Sequence, residues 1–265
     1  MHPWFLHWGP VQVSTYLACI SAGLTVGVFV LQREARRSNL SVRDVLWTSI
    51  AVVPAGVVGA RVFHVLLEQP FRYLADPVEA FMPWAGFTWY GSMLGAAAAL
   101  VWRARRLQLD PRRILDCFAP AVPLGHAFAR LGCLGAGCCH GRPLGDMLGF
   151  EVPWGLVAWR QGSLPESLVG VPLHPWPLYA SLALILQFVL LTQLRARQQY
   201  DGQAILGLFA LYGMTRTLLE PLRGDIARGL FFGGWISTSQ IVGLSTALIA
   251  WGIHRTWSAH ASRSV

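Results

Sequence analysis

Apolar residues arrive in repeated blocks close to the ~20 residues that an α-helix needs to cross ~30 Å of hydrocarbon, and nothing else in the chain constrains its fold as strongly. The blocks run near 13–31, 46–67, 87–102, 114–131, 177–194, 203–219 and 235–253. Inside a bilayer every backbone N–H and C=O must find its partner within the protein, so segments of this length and composition fold as helices. Only 13% of the 265 residues are charged while 54% are hydrophobic, a balance suited to lipid and not to a water-soluble core. The sequence therefore predicts an all-α polytopic membrane protein of about seven transmembrane helices, a single domain over residues 1–265. The first block, Val13 to Leu31, follows a segment with no basic region and no small-residue cleavage site. It reads as a retained span and not as a removable leader.

Charge sets the predicted orientation. The formal net charge is +8 and all 21 basic side chains are arginine. Arg33, Arg36, Arg37 and Arg43 follow the first block, Arg103, Arg105, Arg106, Arg112 and Arg113 the third, Arg195 and Arg197 the fifth, and Arg255 and Arg263 the last. With seven spans these groups share one side, which the positive-inside rule makes cytoplasmic, leaving the N-terminus outside. The opposite loops mix signs: Glu68, Arg72, Asp76 and Glu79, then Asp146, Glu151, Arg160 and Glu166, then Arg223, Asp225 and Arg228. This pattern accounts for the positive charge without nucleic acid as a partner. The loop at about 133–176 is too long for a connector and holds Pro153, Trp154, Trp159, Pro165, Pro172, Pro175 and Trp176. It predicts a small outer, periplasmic cap between helices 4 and 5, with tryptophans at headgroup depth.

Charges inside spans cost at least about 2.5–3.5 kcal/mol each, so they mark candidate sites. The chain has Arg61, Asp116, Arg130, Arg216 and Glu220. Arg216 and Glu220 are spaced i, i+4 and share a helical face, where they can pair. Arg61 and Asp116 lie deeper, where a structural pairing is the simpler reading. Arg130 and Arg216 both fall near the outer surface, and two guanidinium groups converging there make a bidentate site for a phosphate. The phosphate most available at that depth is an anionic phospholipid headgroup. His126 lies one turn before Arg130 and faces the same way, either as a general base or as a hydrogen-bonded core residue. Tyr16, Tyr90, Tyr179 and Tyr212 also fall within or beside spans, a position shared with ordinary interfacial anchors.

The stretch Ala129–Pro143, ARLGCLGAGCCHGRP, is the loudest motif. Its C-x4-C-C-H spacing differs from the C-x2-C pairs of zinc ribbons and no second pair completes it, so the expectation is no metal. Cys133 could instead reach Cys138 or Cys139 in a disulfide across the glycine-rich turn; a nucleophilic cysteine is a further option, without a base beside it. Gly132, Gly135, Gly137 and Gly141 predict a break from helix that leaves amides open to an anion, and with Arg130 and Arg142 they again point to phosphate.

In order and spacing these motifs resemble the prolipoprotein diacylglyceryl transferases of bacterial inner membranes, over nearly the whole chain. The resemblance is carried by WGPVQVSTY, GARVFHVL, AGFTWYGSMLGA, PLGHAFARLGCLGAGCCHGRP, HPWPLYAS, LYGMTRTLLEPLRGD and STSQIVG. It implies transfer of the diacylglyceryl group of phosphatidylglycerol to the lipobox cysteine in the signal peptide of a prolipoprotein, with release of glycerol phosphate and no cofactor. By position, Arg130 and Arg216 resemble the family's essential arginines and Tyr16 its first-helix tyrosine. Gly141 resembles its late signature glycine, and Glu220 and Arg223 the acidic and basic pair after Arg216. The expected substrate-binding set is therefore Arg130, Arg216, Tyr16, Gly141, Glu220 and Arg223, with Arg130, Arg216, Tyr90 and His126 as catalytic candidates.

The chain departs from the family pattern in three places. Tyr90, Gly91 and Ser92 stand where the family usually has a histidine and two glycines, Cys133 where it has an asparagine, and Cys138 near its acidic signature residue. Tyrosine, with an ordinary pKa near 10, is a poor base at neutral pH. Two other readings remain: an anionic-lipid-binding membrane protein without catalysis, and a thiol redox protein built on the cysteine cluster.

Overall fold

The computed structural model describes residues 4–8, 11–68, 70–82, 86, 88–145, 152–153, 164–224, 230–231 and 236–261. Phe87, which opens the third predicted span, Asp146, Glu151, Trp154, Trp159 and Arg160 of the predicted cap, and Asp225 and Arg228 lie outside the described residues. A short antiparallel hairpin, β1 (Trp4–Trp8) with β2 (Val11–Ser14), leads into α1 (Thr15–Arg37). The helix starts two residues later than the apolar run because the Ser14 hydroxyl accepts the Leu17 N–H at 3.1 Å, the usual service of a serine at a helix start. It also continues past the apolar run, so Arg33, Arg36 and Arg37, expected in a loop, lie on its last turns. Cations at a helix C-terminus are favoured by the helix dipole.

The other predicted blocks are helical too: α2 (Val42–Phe63), α4 (Trp89–Arg106), α5 (Pro111–Phe118) with α6 (Ala121–Ala136), α7 (Trp176–Ala196), α8 (Gln203–Leu219) and α9 (Thr238–Ala261); α3 (Pro70–Ala75) is a short helix between α2 and α4. The fourth block, expected as one helix, is broken by a turn at Ala119 and Pro120; proline has no N–H to continue the ladder. Among the described residues, Thr15–Arg37, Val42–Leu66, Pro111–Ala136 and Trp176–Ala196 are long and apolar enough to cross a membrane. Large side chains such as Phe29, Val58, Leu186 and Leu248 point outward from their helices, an arrangement that lipid favours and water does not.

The chain divides into two compact units, one of Leu31–Phe118 and the other of Met1–Val30 with Ala119–Val265. In the first, α2 and α4 pack through glycines. A Cβ on Gly59 would strike the Gly91 carbonyl, and one on Gly95 would strike that of Ala55. Such close backbone approach is how apolar helices associate in lipid, where burial alone gives no advantage. Gly95→Leu is expected to cost at least about 1–3 kcal/mol by overpacking, measurable as a lower thermal midpoint in detergent.

Arg61 of α2 serves the same unit. Its guanidinium donates to the carbonyls of Ala80 (2.8 Å), Gly86 (2.9 Å) and Glu79 (2.5 Å) and lies 5.2 Å from the Tyr73 ring centroid. It ties Glu79, Ala80 and Gly86 to α2, a structural role met through backbone carbonyls where the sequence suggested a charge pair. Asp116 is fully buried in α5.

The second unit is a set of helix pairs. The Ser181 hydroxyl on α7 donates to Ala127 O on α6 at 3.1 Å, and the Gln187 amide on α7 donates to the Thr215 hydroxyl on α8 at 2.8 Å. Gly213 of α8 and Gly243 of α9 meet backbone to backbone. Ala119, Leu191, Ala204 and Leu208 form one buried apolar cluster among its described residues. These contacts fix α6, α7 and α8 around one pocket.

Candidate phosphate site

Trp176, at the first turn of α7, organises that pocket. It is 2% exposed, and its indole N–H donates to Leu219 O at 2.8 Å. Three guanidinium groups from separate segments surround its ring: Arg130 at 5.0 Å, Arg216 at 5.6 Å and Arg223 at 5.1 Å from the centroid. An aromatic face attracts cations, more so where water is excluded, so one indole gathers positive charge that would otherwise spread apart.

Each arginine is also held from behind. Arg130 Nε donates to His126 Nε2 at 3.1 Å, and its Nη1 points at Cys139 Sγ at 3.8 Å. Accepting at Nε2 leaves the His126 ring proton on Nδ1, so in this arrangement the histidine orients Arg130. Arg216 forms a 2.7 Å ion pair with Glu220, as the i, i+4 spacing predicts, and donates to the Ser239 hydroxyl of α9 at 2.9 Å. With Glu220 counted, the cluster keeps a net positive charge suited to a phosphate.

Arg223 is placed by backbone. After the 3₁₀ turn Glu220–Leu222 it pairs with Gly141 in an isolated bridge, flanked by Arg142 N–H to Leu222 O at 3.0 Å and Gly224 N–H to His140 O at 3.1 Å. Gly141 N–H in turn donates to His174 O at 3.1 Å, two residues before Trp176. A side chain at Gly141 would collide with His174. Gly141 therefore joins the Arg223 segment to the Trp176 segment, a close approach that only glycine permits.

The expected break at the glycines is corrected. α6 runs through Gly132 and Gly135 to Ala136, and the left-handed Gly137 (φ 77°) ends it. Gly137 N–H bonds Leu134 O at 3.2 Å and Cys138 N–H bonds Cys133 O at 3.0 Å, the two bonds of a Schellman cap. With Gly141 and Arg142 also bonded, these amides serve the backbone, and guanidinium groups form the anion site. Gly132 is small for packing: a Cβ there would lie 3.0 Å from the Tyr16 ring and 3.2 Å from Cys19.

Tyr16 stands at the first turn of α1, within electrostatic reach of Arg130 and the cysteine cluster. Tyr90 is half-buried at the first turn of α4, in the unit formed by Leu31–Phe118. Cys133, Cys138 and Cys139 stand as free cysteines in this structure, without the Cys133 disulfide that the spacing allowed. The Cys133 and Cys138 sulfurs, and then the charges of Arg130 and Arg223, hold the Cys139 thiol below its ordinary range.

The pocket is a narrow, half-open cleft lined by His126, Arg130, Trp176, Tyr212 and Arg216 and continuing along Leu184. Guanidinium groups beside apolar side chains supply the counter-charge that a lipid phosphate needs at an apolar boundary. Sequence reasoning missed Trp176 and Ser239. Trp176 was read as an interfacial anchor, although its place between two prolines at a helix start already held it to one geometry.

A family model described as Prolipoprotein diacylglyceryl transferase matches residues 3–256. Among curated relatives, the phosphatidylglycerol–prolipoprotein diacylglyceryl transferase of Polaromonas sp. is 30% identical, over 100% of this chain and 98% of its own. Those of Bordetella bronchiseptica and Clostridium tetani are 31% and 27% identical, covering 91% and 90% of this chain and 91% of each relative.

Proposed function

The chain belongs to the prolipoprotein diacylglyceryl transferase family, and from that membership together with the site we propose that it transfers the diacylglyceryl group of phosphatidylglycerol to a prolipoprotein's lipobox cysteine. The observation that carries this reading is the gathering of Arg130, Arg216 and Arg223 around Trp176. The lipid phosphate sits among these guanidinium groups with the adjoining glyceryl carbon toward the incoming thiol. The thiolate attacks that carbon, a C–S bond forms, and the C–O bond breaks with its electron pair leaving on the phosphate oxygen. Guanidinium groups fixed where that charge grows lower the barrier, because they need no reorganisation at the moment of reaction. Glu220, Ser239 and His126 are positioning residues that keep the donors in place.

The seven-span topology is part of the same proposal. It takes α1, α2, α4, α5 with α6, α7, α8 and α9 as crossings of a bacterial inner membrane in one domain, N-terminus outside, C-terminus cytoplasmic, with a periplasmic cap near 133–176. It sets the arginine cluster in the outer leaflet, where an exported prolipoprotein is available. Tyr90 opening α4 and Tyr16 opening α1 then fall at the outer ends of their helices, as headgroup-orienting residues. Complementation of a strain depleted of its own transferase is expected to restore growth; failure at good expression would overturn the reading. Trp176→Leu is expected to raise KM for the lipid by about 10- to 100-fold, since each cation–π contact contributes roughly 0.5–1 kcal/mol, while kcat changes less. Steady-state kinetics in mixed micelles checks the split.

A further inference from the structure

The Sγ atoms of Cys133, Cys138 and Cys139 all lie within 4.8 Å of one another. The Schellman cap explains how a C-x4-C spacing achieves this: it folds the residue after the left-handed glycine back over the one five positions earlier. Here those residues are Cys138 and Cys133. Cys139 then adopts a second left-handed conformation, φ 57°, which costs a non-glycine residue free energy and is characteristic of functional sites. Helix end and turn thus supply the two separate elements a chelate needs. The linear C-x4-C-C spacing conceals this convergence.

We propose that Cys133, Cys138 and Cys139 form a three-thiolate zinc site whose fourth position takes the lipobox thiol. Tetrahedral Zn–S bonds of about 2.3 Å require sulfurs about 3.8 Å apart, reached here by movements of an ångström or less. Cys138 and Cys139 are half-buried, so one side of the triangle is open to a ligand. Three thiolates and one divalent cation carry net negative charge, so Arg130, which already points at Cys139 Sγ, offsets the charge of the bound site. Three protein ligands with an open fourth position are the mark of a catalytic zinc, and a thiol that coordinates zinc is deprotonated outright.

The inference rests on the transfer reaction proposed above, and it gives that reaction an activator for the incoming thiol in a chain where Tyr90 stands in the usual histidine position. The lipobox S–H gives its proton to water on binding zinc. The bound thiolate attacks the glyceryl carbon, the C–S bond forms, and glycerol phosphate leaves with the C–O electron pair. Zinc neither gains nor loses electrons.

The test uses the full chain in detergent, with Co²⁺ as a spectroscopic probe for zinc and a lipobox peptide as the thiol. About one cobalt per chain with thiolate charge-transfer bands is expected, and the bands should disappear in Cys133→Ser and in Cys139→Ser. The lipobox peptide should shift them, and its Cys→Ser version should not. Stripping zinc should slow transfer by tenfold or more at neutral pH, where a free thiol is only a few per cent ionised. Absent bands, bands that survive both substitutions, bands indifferent to the peptide, or a disulfide among the three cysteines would overturn the site. Undiminished transfer by the stripped protein overturns the inference and leaves the transferase reading intact. Cobalt bands without transfer by the zinc-loaded protein overturn the transferase reading, and the bands still report the metal site.

Discussion

Arg130→Gln is expected to lower kcat/KM for diacylglyceryl transfer by about 10²–10³-fold, the usual cost of removing one fixed donor from developing negative charge. The substitution keeps a polar amide at about the depth of the arginine Nε, where it can still meet His126, so the thermal midpoint should move little. Arg130 is bound to His126 on its own helix and lies over the Trp176 ring at the start of α7, 5.0 Å from its centroid. These contacts aim the guanidinium, and lysine cannot reproduce them: an ammonium is a point charge without the planar fork. Arg130→Lys should therefore recover little activity, whereas a charge that acted only at long range would be fully replaced. Single-turnover rates with saturating lipid distinguish the two.

The second large effect concerns stability and activity together. Glu220 is 3% exposed and forms a 2.7 Å pair with Arg216. Removing one partner of a buried pair leaves an uncompensated charge, at a cost of about 3–5 kcal/mol. Glu220→Ala should thus lower the thermal midpoint sharply and disorder Arg216. Replacing both by apolar residues of similar volume, as in Arg216→Met/Glu220→Leu, should restore most of the stability. Activity should stay lost, because the double variant returns packing without a donor for the phosphate. Recovery of activity in the double variant would show that the pair is only a structural lock.

The helices were legible because lipid imposes a simple rule: apolar blocks of sufficient length must satisfy their own backbones. That rule is silent on polar ends, so Arg33, Arg36 and Arg37 were assigned to a loop although α1 carries them. It is silent also on proline, and the pair Pro120 and Pro123 was the neglected sign that the fourth block breaks at Pro120. In the site, Arg130, Arg216 and Glu220 could be found because buried charge is expensive. Trp176 could not, since an apolar ring near an interface costs nothing there, and its role depends on three arginines that are distant in sequence. Gly132 misled for a related reason. Glycine favours turns in isolated chain but serves inside packed membrane helices as the small residue that lets neighbours approach.

The most direct measurement is mass spectrometry of a lipobox peptide after incubation with the purified chain and phosphatidylglycerol. The account predicts a thioether-linked diacylglyceryl adduct on the peptide cysteine, formed together with an equal amount of glycerol phosphate and abolished by Arg216→Gln. Bound phosphatidylglycerol with no adduct and no glycerol phosphate would contradict it, and would leave the arginine cluster as a lipid-binding site alone.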